Sequence, residues 1–164
     1  MSHMNPNSQL TVYAMVGPMG SGKTTMALKI EKVQNALFQS LDGTIKNLNQ
    51  PIGDLKGYER LMPIALDIMY AKALEALKSG RSVVFDVGRW PWLMELADAA
   101  EAKVEIYHFE ISNEERWRRV QRRNHEKPEN VYHFTMSKEE FEAQNSHRQL
   151  PPPMPGLKVI KITD

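Results

Sequence analysis

A glycine-rich stretch, GPMGSGKTT (17–25), constrains the fold of this chain more than any other feature. Residues 17–24 match the Walker A pattern G-x-x-x-x-G-K-[ST] without a mismatch. The apolar, β-rich run TVYAMV (11–16) precedes the stretch, and apolar residues at helical spacing come after it. This order of strand, loop and helix is the context in which the pattern forms a phosphate-binding loop, or P-loop. We therefore predict a nucleotide site here.

The residue types of this loop explain how it would bind phosphate. Glycines allow backbone N–H groups to turn inward around phosphate oxygens, and the next helix directs its positive end to the same place. We expect Lys23 to reach the β- and γ-phosphates of a nucleotide, and the Thr24 hydroxyl to ligate Mg²⁺. The predicted nucleotide-binding residues are Gly17, Met19, Gly20, Ser21, Gly22, Lys23, Thr24 and Thr25.

Strand and helix signals alternate along the rest of the chain. Residues 43–57 are rich in glycine and asparagine and are interpreted as a mobile connection. A long helix is predicted over 58–79, closed by Gly80. Strands separated by helices predict a parallel α/β sheet in a single domain. The further predicted strands are 37–41, 81–88, 103–111 and 157–163.

Composition and charge exclude several classes of protein. The 164 residues carry a net charge of +1, which argues against a general nucleic-acid binder but not against a local basic groove. The absence of cysteine excludes a disulfide framework and a thiolate metal site, and it fits a reducing cytoplasm. No apolar run reaches the ~18 residues of a membrane span. We expect a cytoplasmic protein with 1–8 as a tag remnant and disordered N-terminus, and 9–164 as the domain.

Two aspartates are predicted to lie at the carboxyl ends of strands, where parallel sheets build their sites. Asp42 would come after the second strand, where its carboxylate could accept a proton from an attacking hydroxyl; a simple Asp-Gly turn is the alternative. Asp86 ends the run VVFD, the Walker B pattern that holds Mg²⁺ directly or through water, with capping of the next helix as the alternative. Trp90 and Trp92 are candidates either to stack on an acceptor or to pack in the core.

The segment NEERWRRVQRRN (113–124) carries an unusual density of arginine. On a helix, Arg116, Arg119 and Arg123 fall within about 60° of one another. Like charges four residues apart repel, and a shared anion removes that cost. Guanidinium groups suit a transferring phosphoryl group. The pattern alone indicates a solvated basic face, partly neutralised by Glu114 and Glu115. Because a P-loop lies in the same small domain, we favour a phosphate clamp instead.

From about Thr11 to Pro155 the sequence resembles the small P-loop kinases of the polynucleotide kinase and zeta-toxin type, a group of predicted AAA-type ATP-binding kinases. The P-loop is one match, and FQSLD, which ends on a catalytic aspartate in the family, is another. The strand VVFDVGRW and the strand and lid helix VEIYHFEISNEERWRRVQRRN complete the resemblance. These last two segments together are more specific than the P-loop alone.

The resemblance implies a five-stranded parallel sheet in nucleoside-monophosphate-kinase topology, with a helical arginine lid. It implies ATP and Mg²⁺, and transfer of the γ-phosphate to a hydroxyl group. Our hypothesis is that this hydroxyl belongs to a small-molecule acceptor. Asp42 would be the general base, with Lys23, Arg119 and Arg123 as further catalytic residues. Thr24 and Asp86 would be the metal ligands. A polynucleotide 5′-hydroxyl kinase, and a nucleotide-binding regulatory or toxin-like module without a small acceptor, remain alternatives.

Three positions depart from the family pattern. Ile45, with Lys46 next to it, stands where the family often has an arginine. The helix after the third strand has no arginine, although Arg89 precedes it, and the C-terminal motif is weakened to RQLPPP (148–153). Because the first two positions commonly touch substrate or phosphate in the family, we expect either a different acceptor or low activity.

Overall fold

Five parallel strands form the centre of the structure, a computed structural model that describes residues 9–51, 54–126, 136–143 and 155–164. Their spatial order is β2-β3-β1-β4-β5. The predicted five-stranded parallel sheet is therefore confirmed. The strands are β1 (Thr11–Val16), β2 (Leu37–Gln39), β3 (Val83–Phe85), β4 (Lys103–Glu110) and β5 (Leu157–Thr163).

Helices connect these strands and lie on both faces of the sheet. In the described part of the chain they are α1 (Lys23–Gln34), α2 (Leu41–Asn47), α3 (Leu55–Lys78), α4 (Trp90–Ala100), α5 (Asn113–Glu126) and α6 (Lys138–Ala143). None of the described helices is long and apolar enough to cross a membrane. The predicted tag remnant (1–8), and most of the proline-rich loop near the C-terminus, lie outside the described residues.

The central strand β1 is buried on both faces. Val12 and Ala14 belong to the main core, which α3 and α4 cover. Met15 points to the other face and packs with Ala27 and Ile30 of α1. Each of these side chains is at most 6% exposed. Burial on both faces explains the almost uninterrupted apolar run of β1, which delivers the P-loop at its carboxyl end.

The predicted strand at residues 37–41 is present but shorter, and the predicted connection at 43–57 is wrong where α2 and the start of α3 occupy it. β2 ends at Gln39, and Ser40 begins a helix, because its hydroxyl accepts a hydrogen bond from the Gly43 N–H at 3.0 Å. The Thr44 hydroxyl donates to the Ser40 carbonyl at 2.6 Å. Asp42 therefore lies in the first turn of α2, not at the end of a strand. A serine cap satisfied by a glycine N–H overrides the loop-like composition.

Gly88 occupies a position with no room for a side chain. A Cβ there would come within 2.5 Å of the Met15 carbonyl oxygen and would also collide with Val16 Cγ2. This close approach presses the segment after β3 against the carboxyl end of β1. A Cβ on Gly43 in α2, by contrast, meets only Ser40 at 3.4 Å, which is ordinary contact.

Gly88→Ala should lower the free energy of unfolding by roughly 1–3 kcal/mol, since backbone atoms must move to admit the methyl group. Gly43→Ala is the matched control and should leave stability unchanged or raise it by up to about 1 kcal/mol, because alanine is the better helix former. Urea denaturation of both variants measures the difference. Equal losses in the two variants would contradict the close approach at Gly88.

Candidate active site

The loop between β1 and α1 has the backbone geometry of an anion-binding site. Gly20 and Gly22 have φ values of 83° and 93°, the left-handed region that favours glycine. A Cβ on Gly20 would also come within 2.6 Å of the Arg116 carbonyl oxygen. Gly22 caps α1 without a side-chain hydrogen bond. The first-turn N–H groups of α1 thus form the end of a helix that suits a phosphate.

Side chains of the loop close it upon itself. Lys23 Nζ donates to the Gly17 carbonyl at 2.8 Å, and the Ser21 hydroxyl donates to the Pro18 carbonyl at 2.6 Å. Met19 packs against a small cluster that includes Phe141 of α6. These contacts stabilise the conformation of the loop, and the Lys23 side chain bridges its two ends by binding the Gly17 carbonyl.

Arg116 anchors α5 to this loop instead of pointing into the cleft. Its side chain is only 2% exposed and lies over the Phe141 ring, 4.8 Å from the centroid. It donates to the carbonyls of Ile111 at 3.3 Å and Met19 at 3.2 Å, and to Asn113 Oδ1. Burial lowers the pKa of the guanidinium from its ordinary value. The expectation that Arg116 shares a clamp is therefore not met, because these groups already hold its guanidinium.

Two hydrogen bonds of its guanidinium group hold Arg119 over the P-loop. Its Nη1 donates to the Gly20 carbonyl at 3.2 Å, and its Nε donates to Glu115 Oε1 at 2.9 Å. Arg118, on the outer side of the helix, binds the same carboxylate at 2.7 and 2.8 Å. The hydrogen bonds from Arg118 and then Arg119 lower the pKa of Glu115 to about 2. Glu115 thus orients Arg119 without losing its charge near neutral pH.

Asp86 lies buried at the carboxyl end of β3, with 6% exposure. Its Oδ1 accepts the Leu41 N–H at 2.9 Å, and Ser40 donates a further bond. Burial raises the pKa of Asp86 to about 6, and the charge of Asp42 adds to the shift, whereas Lys23 opposes it. The aspartate therefore holds the start of α2, not the start of the helix that comes after it in sequence.

Tyr58 binds the predicted general base, and no sequence signal identified it. Its hydroxyl, at the beginning of α3, donates to Asp42 Oδ1. Burial, and then the charge of Asp42, raises the pKa of Tyr58 well above its ordinary value, so the hydroxyl remains a donor. Helical periodicity predicts that Tyr58 begins a helix, but only the packing of α2 against α3 brings it to Asp42.

A single cleft of about 1240 Å³ joins these groups. The predicted site residues that line it are Met19, Gly20, Ser21, Gly22, Lys23, Thr24, Thr25, Asp42, Asp86, Arg119 and Arg123. Gly17, the first residue of the loop, is not in the lining, and its carbonyl accepts the Lys23 hydrogen bond. Further lining residues that the sequence did not indicate include Tyr58, Met62, Leu66 and Arg122. The cleft thus has a cationic side, at the P-loop and α5, facing a side that holds Asp42.

The sequence profile of the AAA domain family matches residues 12–151. No curated protein matches the sequence significantly. Among solved structures, the chain is similar to a candidate kinase from Chloroflexus aurantiacus, with a TM-score of 0.77, 16% identity, and coverage of 95% of this chain and 89% of that one.

Two further solved structures are similar to this chain. One is the Mycobacterium tuberculosis APS kinase CysC in complex with AMPPNP and APS, with a TM-score of 0.60, 17% identity, and coverage of 94% and 88% of the two chains. The other is the Pnkp1/Rnl/Hen1 RNA repair complex, with a TM-score of 0.59, 18% identity, and coverage of 87% of this chain and 45% of that one. These likenesses show a single-domain P-loop kinase fold and confirm the fold that the resemblance implies.

In the absence of nucleotide and metal, Asp86 should make stability depend on pH. Its pKa is about 6 in the folded protein, against an ordinary 3.8, so the folded state holds the proton more tightly. The free energy of unfolding should then fall as the pH rises from about 4 to 6, by up to about 3 kcal/mol.

Asp86→Asn keeps an acceptor for the Leu41 N–H but cannot titrate, so it should lack this decrease. Denaturation between pH 4.5 and 7 measures both proteins. Glu115, whose pKa is lowered to about 2, adds the same small rise in stability with pH to both of them, so the difference between the two profiles reports on Asp86. Parallel stability profiles of the two proteins would contradict the burial of the Asp86 charge.

Proposed function

The chain belongs to the AAA domain family, and from that premise we propose that it is an ATP- and Mg²⁺-dependent phosphotransferase acting on a hydroxyl group of a small molecule. One observation carries the proposal: the P-loop, three arginines of α5 (Arg119, Arg122 and Arg123) and the Asp42–Tyr58 pair all line the same cleft. Groups that bind a transferring phosphate thus face a carboxylate that can accept a proton. Position and charge supply most of the catalysis in such a reaction.

The P-loop side suits the phosphates of ATP. The N-terminus of α1 and Lys23 provide positive charge, and the Thr24 hydroxyl provides a ligand for Mg²⁺. Mg²⁺ commonly keeps several waters and takes one or two protein carboxylates together with substrate phosphates. Because Asp86 already accepts bonds from Leu41 and Ser40, we propose that it holds the ion through water. The bound ion would supply neutralisation of phosphate charge.

Arg119 and Arg123 would bind the transferring phosphoryl group from the other side. Both line the cleft, and the Glu115 and Gly20 bonds fix Arg119 before any ligand arrives. A guanidinium held in place in this way needs little reorganisation when negative charge spreads over the phosphate oxygens. The preset position of Arg119 supports its role as a catalytic lid arginine.

Asp42 would act as the general base. In the proposed step, the acceptor oxygen forms a bond to the γ-phosphorus while the bond from that phosphorus to the β–γ bridging oxygen breaks. The acceptor proton passes to the Asp42 carboxylate, and ADP leaves. The Tyr58 hydroxyl orients this carboxylate by donating to Oδ1.

A polynucleotide 5′-hydroxyl is the alternative acceptor. The fold likeness to a chain of an RNA repair complex supports it, whereas a net charge of +1 counts against a strand-binding groove. Acceptor binding that weakens steeply with salt would favour this alternative. Tight ATP binding without transfer to any hydroxyl would favour a regulatory module instead.

Asp42→Asn should lower the rate of phosphate transfer by about 10²–10⁴-fold, since the amide cannot accept the acceptor proton. Nucleotide affinity should stay near wild type, because the P-loop is untouched. Transfer of labelled γ-phosphate to a panel of nucleosides, sugars and other alcohols measures the first quantity, and calorimetry with AMPPNP measures the second. The exposed Asp67, changed to asparagine, is the control and should retain full transfer. Unchanged turnover in Asp42→Asn would remove Asp42 as the base.

Arg119→Ala should reduce transfer by about 10²–10³-fold, the usual effect of losing one donor to a developing charge. Arg118→Ala is the matched control, because Arg118 binds the same Glu115 carboxylate but is 61% exposed and does not line the cleft. Steady-state transfer rates of both variants measure the two effects. If the two variants lose the same amount of activity, the effect lies in the Glu115 contacts and not in a phosphate clamp.

A further inference from the structure

The wall of the cleft is polar around the P-loop and largely apolar beyond Asp42. This apolar part limits which acceptors can bind. Past the P-loop, the lining comes from the first turns of α3, from the segment after β3 and from the first turn of α4. It is mostly apolar or aromatic and includes Tyr58, Met62, Leu66, Val87, Trp90 and Trp92. Any assignment of an acceptor to this wall rests on the proposed phosphotransfer, since the wall forms the acceptor end of the same cleft.

The two tryptophans of this wall have different surroundings. Trp92 packs edge-on against Phe85 and Tyr70, with ring centroids 4.9 and 5.8 Å apart, and it joins the main core. Trp90 lines the cleft and is partly exposed, and among the described residues it is not part of the main core. Packing already accounts for Trp92, whereas the ring of Trp90 is placed to meet a ligand.

Trp90 stands on a rigid segment. Gly88 is pressed against the carboxyl end of β1, and Pro91 lies in the first turn of α4. The Leu93 N–H donates to the Arg89 carbonyl at 2.9 Å, which closes that first turn. A flat aromatic surface held in this way loses little freedom on binding a ring.

Charges of opposite sign are balanced at this end of the cleft, which suits an uncharged acceptor. Asp42 and Glu59 line it, and two arginines oppose them: the exposed Arg89, and Arg123, whose charge acts on Tyr58. Ile45, one turn after Asp42, is fully buried in the core, and Lys46 beside it is exposed and not in the lining. The remaining lining cations are Lys23 of the P-loop and Arg119 and Arg122 of α5.

We propose that the acceptor is an uncharged hydroxyl compound carrying a flat unsaturated ring, and that this ring stacks on Trp90 while the hydroxyl meets Asp42. Trp90 is then a specificity-determining residue, and sugars without a ring of this kind, or strands of nucleic acid, are poor acceptors. Stacking of one ring on an aromatic side chain is expected to favour the ring-bearing compound by about tenfold or more.

Matched alcohols test the inference. Uridine and ribose share a sugar and differ in the base, and phenylethylene glycol and ethylene glycol differ in the phenyl ring. We expect kcat/KM at least about tenfold higher for the ring-bearing member of at least one pair, mainly through KM. Trp90→Ala should remove this preference while AMPPNP affinity and the circular dichroism spectrum stay unchanged. Trp90→Phe should keep most of it.

A binding measurement separates this inference from the proposed transfer. Saturation-transfer NMR on the ring protons of uridine and phenylethylene glycol, with AMPPNP bound, should detect contact in wild type and lose it in Trp90→Ala. Contact without phosphorylation of any alcohol would sustain the ring site and overturn the transfer. Equal transfer to ring-bearing and ring-free alcohols, a preference that survives Trp90→Ala, or preference for a 5′-hydroxyl oligonucleotide would overturn the ring site.

Discussion

The buried carboxylate of Asp86 fixes the geometry on which the Asp42 side of the cleft depends. A charge taken out of water is costly unless hydrogen bonds and opposite charges compensate it. Here the Leu41 N–H and Ser40 supply the bonds, and Lys23 supplies the attraction. Those partners belong to the start of α2 and to the P-loop. The compensation therefore joins β3, α2 and the nucleotide site, and it sets the position of Asp42.

A second buried charge, Arg116, does the same for the side of the cleft that α5 forms. Its guanidinium binds carbonyls at Ile111 and Met19, one just before α5 and one in the P-loop. This brings Arg119 within reach of the Gly20 carbonyl. The crowded arginines of α5 thus divide into an inner anchor, Arg116, a cleft-facing group with Arg119, and an outer group with Arg118. Repulsion among them is reduced because Glu115 binds both Arg118 and Arg119.

Local sequence predicts the sheet well, and tertiary contacts explain where it fails. The apolar runs of β1 and β5 and the glycine pattern of the P-loop are local signals, and the structure agrees with them. The apolar run that begins at Leu37 predicts a strand reaching Asp42, but Ser40 and the distant Asp86 start a helix there. The Tyr58 contact and the burial of Arg116 also depend on residues far along the chain or on packing between helices. Helical spacing predicts that Arg116 and Arg119 share a side of α5. Only the packing of Phe141 against Arg116 determines that Arg116 is buried and Arg119 faces the cleft.

The structure explains in part why this chain departs from the family pattern at Ile45 and in α4. An arginine in place of Ile45 would have to bury its charge among Leu41, Leu61 and the other apolar side chains of the main core. The apolar packing of α2 on α3 therefore excludes a cation at that position, and α4 carries no lysine or arginine either. A site that recognises an acceptor through phosphate or carboxylate groups needs such cations. With no cation at position 45 or in α4, the proposed acceptor would be selected at this end of the cleft mainly by shape and by the faces of aromatic rings.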